Sequence, residues 1–155
     1  MAAIIIKNLK YEIITEIEIH VPLSDVWNAL IEFSEYERWN TFVPSISGDL
    51  YKGAILNIIL HVPNEKKQKY KVKILEIQEK QILQWLGHFI IPGLIDGNHI
   101  FQLQHLSDNK TLFIQKESFK GILVPFVWKY YLNTKLRAGF VQLNEGLKKY
   151  VENRH

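Results

Sequence analysis

The C-terminal stretch constrains this chain most. From Val124 to Arg154, the residues Val124, Trp128, Leu132, Leu136, Phe140, Leu143, Leu147 and Val151 recur three or four positions apart, the spacing of one face of a helix. Lys129, Asn133, Lys135, Arg137, Gln142, Lys148 and Lys149 mostly fill the other side. Lys148, Lys149 and Arg154 fall in the last turns, where cations suit the negative pole of the helix dipole. At about 1.5 Å per residue such a helix is a rod of roughly 40 Å. A rod with one apolar face must cover it, and almost everything upstream reads as strand. The predicted architecture is therefore a curved sheet wrapped around the helix, with a cavity between them.

The upstream pattern supports this. Tyr11–Val21 alternates Tyr11, Ile13, Thr15, Ile17, Ile19 and Val21 against Glu12, Ile14, Glu16, Glu18 and His20, the signature of a half-buried strand. Pro22 stops it. Ser24 reads as an N-cap and Asp25 as a favourable first-turn acid, ahead of the short stripe Val26, Trp27, Leu30 and Ile31. A second short helix is expected over Ser34–Glu37, ending at Trp39-Asn40. Strands are then predicted over Ser45–Leu50, Ala54–Val62, Lys69–Gln78, Gln81–Ile91, Asn98–Leu106 and Thr111–Lys120, separated by turn residues such as Pro63-Asn64 and Ser107–Lys110. Pro92-Gly93 through Asp96-Gly97 reads as a plain strand connection, with a pocket-rim or lid element as the functional alternative. Short connections imply antiparallel pairing, and helices segregated from a run of strands imply an α+β fold.

Side-chain parity gives the inner face. In 98–106, His99, Phe101, Leu103 and His105 oppose Gln102 and Gln104, so the odd face is expected inside. In 111–120, Phe113, Gln115, Glu117 and Phe119 oppose Lys116 and Lys120, which are poor interior residues. With a turn near 107–110, Glu117 falls opposite His99 or Phe101, within neighbouring reach of His99 in either register. The preceding strand adds Leu83, Trp85, Gly87 and Phe89, and Gly87 leaves space beside Trp85. The expected inner surface is aromatic and aliphatic with a few polar groups, the composition of a small-molecule pocket. The plainer reading of His99 and Glu117 is a buried pair that satisfies itself in a packed interior.

Composition excludes several classes. The 155 residues are expected to form one domain, 1–155. With no cysteine there is no disulfide, thiolate metal site or cysteine nucleophile. No apolar run is long enough to span a bilayer. Ile4–Ile6 lacks the flanks of a signal peptide, so a cytoplasmic location is the default. The net charge is only +3. Lys69, Lys71 and Lys73 share one strand face, which reads as a solvated outer surface rather than a nucleic-acid site. The six histidines have no zinc-site spacing, so no metal or cofactor is expected.

The run Tyr11–Val21, Pro22, Val26-Trp27, Trp39-Asn40 and Val43-Pro44 is similar to the start of the START-like (SRPBCC) superfamily of helix-grip proteins. Trp85-Leu86-Gly87, the run Pro92–Phe101 and Glu117–Leu123 resemble the polyketide cyclase/dehydrase and lipid-transport group within it. The resemblance implies a seven-stranded antiparallel sheet gripping a long C-terminal helix, with two short helices after strand 1. It also implies a cavity for lipids, polyketides or other apolar molecules. The chain departs from relatives at Asn98, where many carry a charge, and at Gln115, where many are basic.

Three functions are weighed. The first is binding or carriage of a small hydrophobic molecule, with Trp39, Trp85, Phe89, His99, Phe101, Gln115, Glu117, Phe119, Trp128 and Tyr131 as candidate ligand contacts. Trp39 and Trp128 serve equally as core. The second is a cyclase or dehydratase in which His99 and Glu117 move a proton α to a carbonyl, with Tyr130 or Tyr131 polarising the carbonyl. The third is an interaction module, which needs an exposed apolar patch where the outer faces read as Lys, Glu and Gln. The partner expected is a small apolar ligand, without nucleic acid or integral membrane association, and the chain is expected to be a monomer or homodimer.

Overall fold

The computed structural model describes residues 11–154. The reading at Ile4–Ile6, and His155, lie outside the described residues. Strand β1 (Glu12–Ile19) is followed by helix α1 (Leu23–Ile31), a 3-10 turn (Phe33–Glu35) and helix α2 (Tyr36–Trp39). Six strands come next: β2 (Ser45–Ser47), β3 (Ile55–Leu60), β4 (Gln68–Gln78), β5 (Ile82–Phe89), β6 (Ile95–Ser107) and β7 (Lys110–Lys120). They form one antiparallel sheet in the order β1-β7-β6-β5-β4-β3-β2. The long connection from β1 to β2 is made by the short helices, which join the two edges of the sheet.

The C-terminal rod runs as α3 (Val124–Val127), a π-helical segment (Trp128–Leu136) and α4 (Arg137–Glu152). The expected rod is present, but its winding is not uniform. The reason lies in the stripe. Val124, Trp128, Leu132, Leu136 and Phe140 are each four apart. In a helix of 3.6 residues per turn a strict four-residue spacing drifts off one face. The i→i+5 bonding of a π segment widens the turn and holds Leu132 and Leu136 inward, both 1% exposed. Beyond Phe140 the spacing shortens to three and four, and ordinary α geometry keeps Leu143, Leu147 and Val151 buried.

The inner sheet face follows the expected parity. Thr111, Phe113, Gln115, Glu117 and Phe119 of β7 are buried, as are Gly97, His99, Phe101 and Leu103 of β6. Lys69, Lys71 and Lys73 point outward while Val72 and Ile74 are buried. Four local expectations are corrected. Asp96 and Gly97 belong to β6 rather than to a loop, because the β5 ladder continues through Gly87↔Gly97 and His88↔Asp96. His105 is exposed although it stays in register opposite buried Thr111, because it is the last regular pair of the β6–β7 ladder before the shift at Ser107. Helix α1 starts from Pro22 without a side-chain cap, so Ser24 is inside the first turn. The strand expected over Ser45–Leu50 is confined to Ser45–Ser47, ending before Gly48 at φ +135°.

Rod and short helices meet closely. A Cβ on Gly139 would lie 2.6 Å from the Phe42 ring, and one on Gly146 2.3 Å from the Trp39 carbonyl oxygen. Both glycines therefore let the 39–42 segment lie directly on α4. Among the described residues no helix is long and apolar enough to cross a membrane.

Candidate functional site

Gly87 of β5 and Gly97 of β6 are directly opposed, one pair beyond the neighbouring inward pair Trp85↔His99 in alternating register. Two adjacent inner positions thus lack side chains, and a cavity of about 40 Å³ lies over them. Its wall is built by Trp85, His88 and Phe89 from β5, His99 from β6, Glu117 from β7, and Leu136, Phe140 and Leu143 from the rod. Phe42, Val43, Ile58, Leu60, Tyr70 and Val72 complete it. Glu117 leans from its cross-strand partner His99 toward Gly97. A Cβ on Gly97 would sit 2.3 Å from Glu117 Oε1, so only glycine leaves room for this carboxyl pose.

The central space beneath the rod is filled with rings. His99 is stacked between Phe101, at 4.2 Å, and Phe140, at 4.8 Å between centroids. Trp85 meets Phe101 edge-on at 4.8 Å, and Phe113 stacks beyond Phe101. The hollow is therefore confined to the glycine pair rather than extending along the whole rod.

A buried hydrogen-bond chain fixes the polarity of the site. Gln115 Nε2 donates to the Phe140 carbonyl at 2.9 Å and to Asn144 Oδ1 at 2.7 Å. A carbonyl can only accept, so the Gln115 amide orientation is set by the rod backbone. Gln115 Oε1 then faces His99 Nε2 at 3.1 Å, and that nitrogen must carry the proton. His99 Nδ1 is left with a lone pair, aimed at Glu117 Oε2 3.5 Å away. Asn144 Nδ2 continues the chain to Thr15 Oγ1 at 3.0 Å.

Burial keeps both titratable groups neutral. Desolvation pushes Glu117 up to about 8. Desolvation pulls His99 down to about 3, against a smaller opposing effect of the Gln115 hydrogen bond. The two meet as a neutral acid and a neutral imidazole, not as an ion pair, because the cost of burying two charges exceeds what a 3.5 Å contact returns. At that distance the carboxyl proton is also not held in a good hydrogen bond. It is available to something in the cavity. At the rim, burial opposes ionisation of Asp96, but hydrogen bonds from His88 (2.6 Å) and the Gly93 N–H (3.0 Å) outweigh it and hold Asp96 below the usual carboxylate range.

Among the expected ligand contacts, Trp85, Phe89, His99 and Glu117 line the cavity. Phe101 lies behind His99 in the stack, and Gln115 acts through His99. Phe119, Trp128 and Tyr11 form a separate cluster, with Trp128 5.2 Å from Tyr11 and 6.2 Å from Phe119. Trp39 packs between Tyr36 and Tyr150, outside the lining. Tyr131 is half-buried, and its hydroxyl is raised by burial and by nearby Tyr70 and Glu65. Sequence reasoning missed Gly97 as an inner-face residue. Extending the odd parity of β6 two residues upstream of His99 would have found it. Phe42, Tyr70, Leu136 and Phe140 meet the cavity only through the way the 39–42 segment, β4 and the rod fold over it, which no local pattern signals.

No family model matches the sequence, and no curated protein matches it significantly. Solved structures do match the fold. The Zhui aromatase/cyclase of Streptomyces sp. R1128 superposes with a TM-score of 0.77 at 11% identity, covering 94% of this chain and 95% of that one. Ara h 8.0201 superposes at 0.71 and 14% identity, covering 93% and 99%. Norcoclaurine synthase of Thalictrum flavum, in complex with dopamine and hydroxybenzaldehyde, superposes at 0.71 and 11% identity, covering 95% and 89%. This chain has the helix-grip fold, a seven-stranded antiparallel sheet around a long C-terminal helix.

Proposed function

We propose that the chain binds a small, mainly apolar molecule bearing one hydrogen-bond acceptor, seated over Gly87 and Gly97, with Glu117 as donor. The observation that carries this reading is the Glu117 carboxyl buried in an apolar cavity wall, 3.5 Å from His99 Nδ1, where desolvation favours its protonated form. A neutral acid donates one directed hydrogen bond and adds no buried charge, which suits an uncharged carbonyl or ether oxygen. The named neighbours, an aromatase/cyclase and a synthase crystallised with dopamine and hydroxybenzaldehyde, agree with an aromatic ligand.

A cavity of about 40 Å³ holds only a few waters, at roughly 10–15 Å³ each by that measure. A ligand therefore enters by displacing wall side chains. Phe89 and Tyr70 are half-buried and meet edge-on at 4.9 Å, and they have space on the solvent side to swing into. The proposed setting is the cytoplasm, with the chain a monomer or homodimer. The test is extraction of the purified protein followed by mass spectrometry, with titration of hydroxybenzaldehyde and of an apolar fluorophore alongside. A stoichiometric, unmodified apolar molecule, or saturable binding weakened in Phe89→Asp, is the expected result. No co-purified molecule and no saturable binding by either probe overturns the reading.

A proton-transfer enzyme is the second reading, favoured by the oriented His99 Nδ1 lone pair beside an acid. The order of basicity restricts it. With Glu117 near 8 and His99 near 3, the proton rests on Glu117, which gives it to the departing hydroxyl; the carboxylate so formed takes the α proton, so that water leaves, the double bond forms and the acid is regenerated. His99 is then the weaker base of the two and serves mainly to position the carboxyl. Dehydration of a β-hydroxy ketone at equal rates in wild type, Glu117→Gln and His99→Ala excludes it.

A further inference from the structure

The outer face of the sheet carries a second hollow, of about 420 Å³, over β2, β3 and β4. Register places two rows of side chains across it: Ser45, Ile59 and Lys69 in one, Ser47, Asn57 and Lys71 in the next. Successive rows on one face of a strand are about 7 Å apart, and Ser47 and Lys71 stand two strand spacings, roughly 10 Å, from each other. The middle of the hollow is floored by Asn57 and Ile59, with hydroxyls along one side and ammonium groups along the other. Ile58 and Tyr70 also border it, but their side chains belong to the inner face and line the cavity.

Alternating lysines commonly protect a sheet edge. Here they are in the wrong place for that. Lys69, Lys71 and Lys73 sit on β4, with β3 and β2 between them and the edge, and the edge strand itself carries Ser45 and Ser47. Nor are they neutralised. Lys52, Lys110, Lys116, Lys135 and Lys148 each face a carboxylate, whereas among the described residues Lys69 and Lys71 have no ion pair or hydrogen-bond partner. No Asp or Glu lines the hollow. The carboxylates around it are engaged elsewhere: Glu65 with Lys135, Glu76 with Lys52, and Asp96, on the far side of β5, with His88 and the Gly93 N–H. Asp49 lies past Gly48, beyond the end of β2, and Lys66, Lys67 and Lys73 outnumber it.

Every polar side chain at the hollow can donate a hydrogen bond, and the two charged ones are cations. That donor set fits a phosphoryl group, which brings up to two negative charges and three strong acceptor oxygens, and lysine binds phosphate as a point charge. A carboxylate offers one charge and two oxygens, and leaves the second lysine unmatched. Nucleobases find no platform to stack on, because Tyr70 is the only ring at the hollow and it faces inward. We propose that this face of β2–β4 is a binding site for a phosphoryl group, free or on a small-molecule monoester. Lys69 and Lys71 supply the charge, and Ser45, Ser47 and Asn57 supply directed hydrogen bonds. The site lies on the opposite side of the sheet from the apolar cavity and stands without any occupant there.

The test is titration of the isotope-labelled full chain with inorganic phosphate and with phenyl phosphate at constant ionic strength, followed by amide NMR shifts. Saturable shifts confined to 45–47, 57–59 and 69–71 are expected with at least one probe. Saturation by inorganic phosphate assigns a free ion, and saturation by phenyl phosphate alone assigns a monoester. Lys69→Gln with Lys71→Gln should weaken binding at least about tenfold, and Ser47→Ala with Asn57→Ala, which leaves the charge intact, at least about threefold. Lys120→Gln with Lys129→Gln removes the same charge elsewhere and should leave the affinity within about twofold. Absence of saturable shifts overturns the proposal. So does a loss in the Lys120 and Lys129 variant equal to that in the Lys69 and Lys71 variant, or full affinity in the Ser47 and Asn57 variant, since either reduces the face to general charge attraction. All six substituted side chains are exposed or half-buried on the outside, and unfolding midpoints at the wild-type value show that each variant reads the surface and not the fold.

Discussion

Replacing Glu117 by glutamine should stabilise the protein at alkaline pH and leave it nearly unchanged at acid pH. The folded carboxyl ionises near 8 against an ordinary 4.5. Between these values the unfolded chain has lost a proton that the native state keeps, so stability falls as pH rises. Each unit of displacement is about 1.4 kcal/mol. The loss is thus roughly 3 kcal/mol at pH 7, on the order of 5 kcal/mol above pH 8, and constant beyond, once both states are ionised. Glutamine has nearly the same shape and carries no charge at any pH, so it mimics the protonated acid and escapes this loss. His99 acts at the other end. Its folded value near 3 lies below the ordinary 6.5, so its contribution is whole above 6.5 and is lost as pH falls toward 3. The two slopes oppose one another between 4.5 and 6.5, where the pair adds no net pH dependence. The assay is thermal unfolding of wild type and Glu117→Gln from pH 4 to pH 9.5. The midpoints should coincide near pH 4 and separate by at least about 10 °C above pH 8, taking roughly 2–4 °C per kcal/mol for a chain of this size. Parallel curves at every pH would falsify the claim that this carboxyl is buried and neutral, and with it the donor role.

Three further substitutions follow from the same geometry. Gln115→Leu leaves the His99 N–H and Asn144 Oδ1 without partners and removes a second donor to the Phe140 carbonyl, and should cost about 2–5 kcal/mol in denaturant unfolding, at roughly 1–3 kcal/mol per unsatisfied buried group; a cost under about 1 kcal/mol speaks against the chain of bonds. Gly97→Ala places a methyl where Glu117 Oε1 now sits, so the carboxyl must swing away. Its titration, followed by carboxyl-carbon NMR, should move from near 8 toward the ordinary range, with only a small change in stability because a flexible side-chain end yields. Gly121→Ala meets the Leu94 carbonyl and a φ of +141°. It should destabilise by at least about 2 kcal/mol, which equilibrium unfolding will show.

The sequence is most legible where one period is repeated against one partner. The rod, the antiparallel strands, and the inward odd face of β6 and β7 follow from alternation that burial enforces on every second residue. The His99–Glu117 pairing follows from parity and one short turn. Legibility ends where distant segments meet. Gly139 and Gly146 look like weak points in a helix, yet they are the places where Phe42 and Trp39 lie on it. The strict four-residue spacing before Phe140 was visible, and only the packed rod shows that the chain answers it with π winding.

What the residues alone determine is the architecture and the inward placement of one acid and one imidazole, because hydrophobic periodicity selects a face without reference to the rest of the molecule. What only the tertiary structure decides is how much of the interior stays open, which proton His99 carries, and where apolar groups remain outside. Those depend on whether rings from β5, β6 and α4 interlock, and on which backbone carbonyl a glutamine reaches. Such distances are set by the assembled packing and not by any single segment.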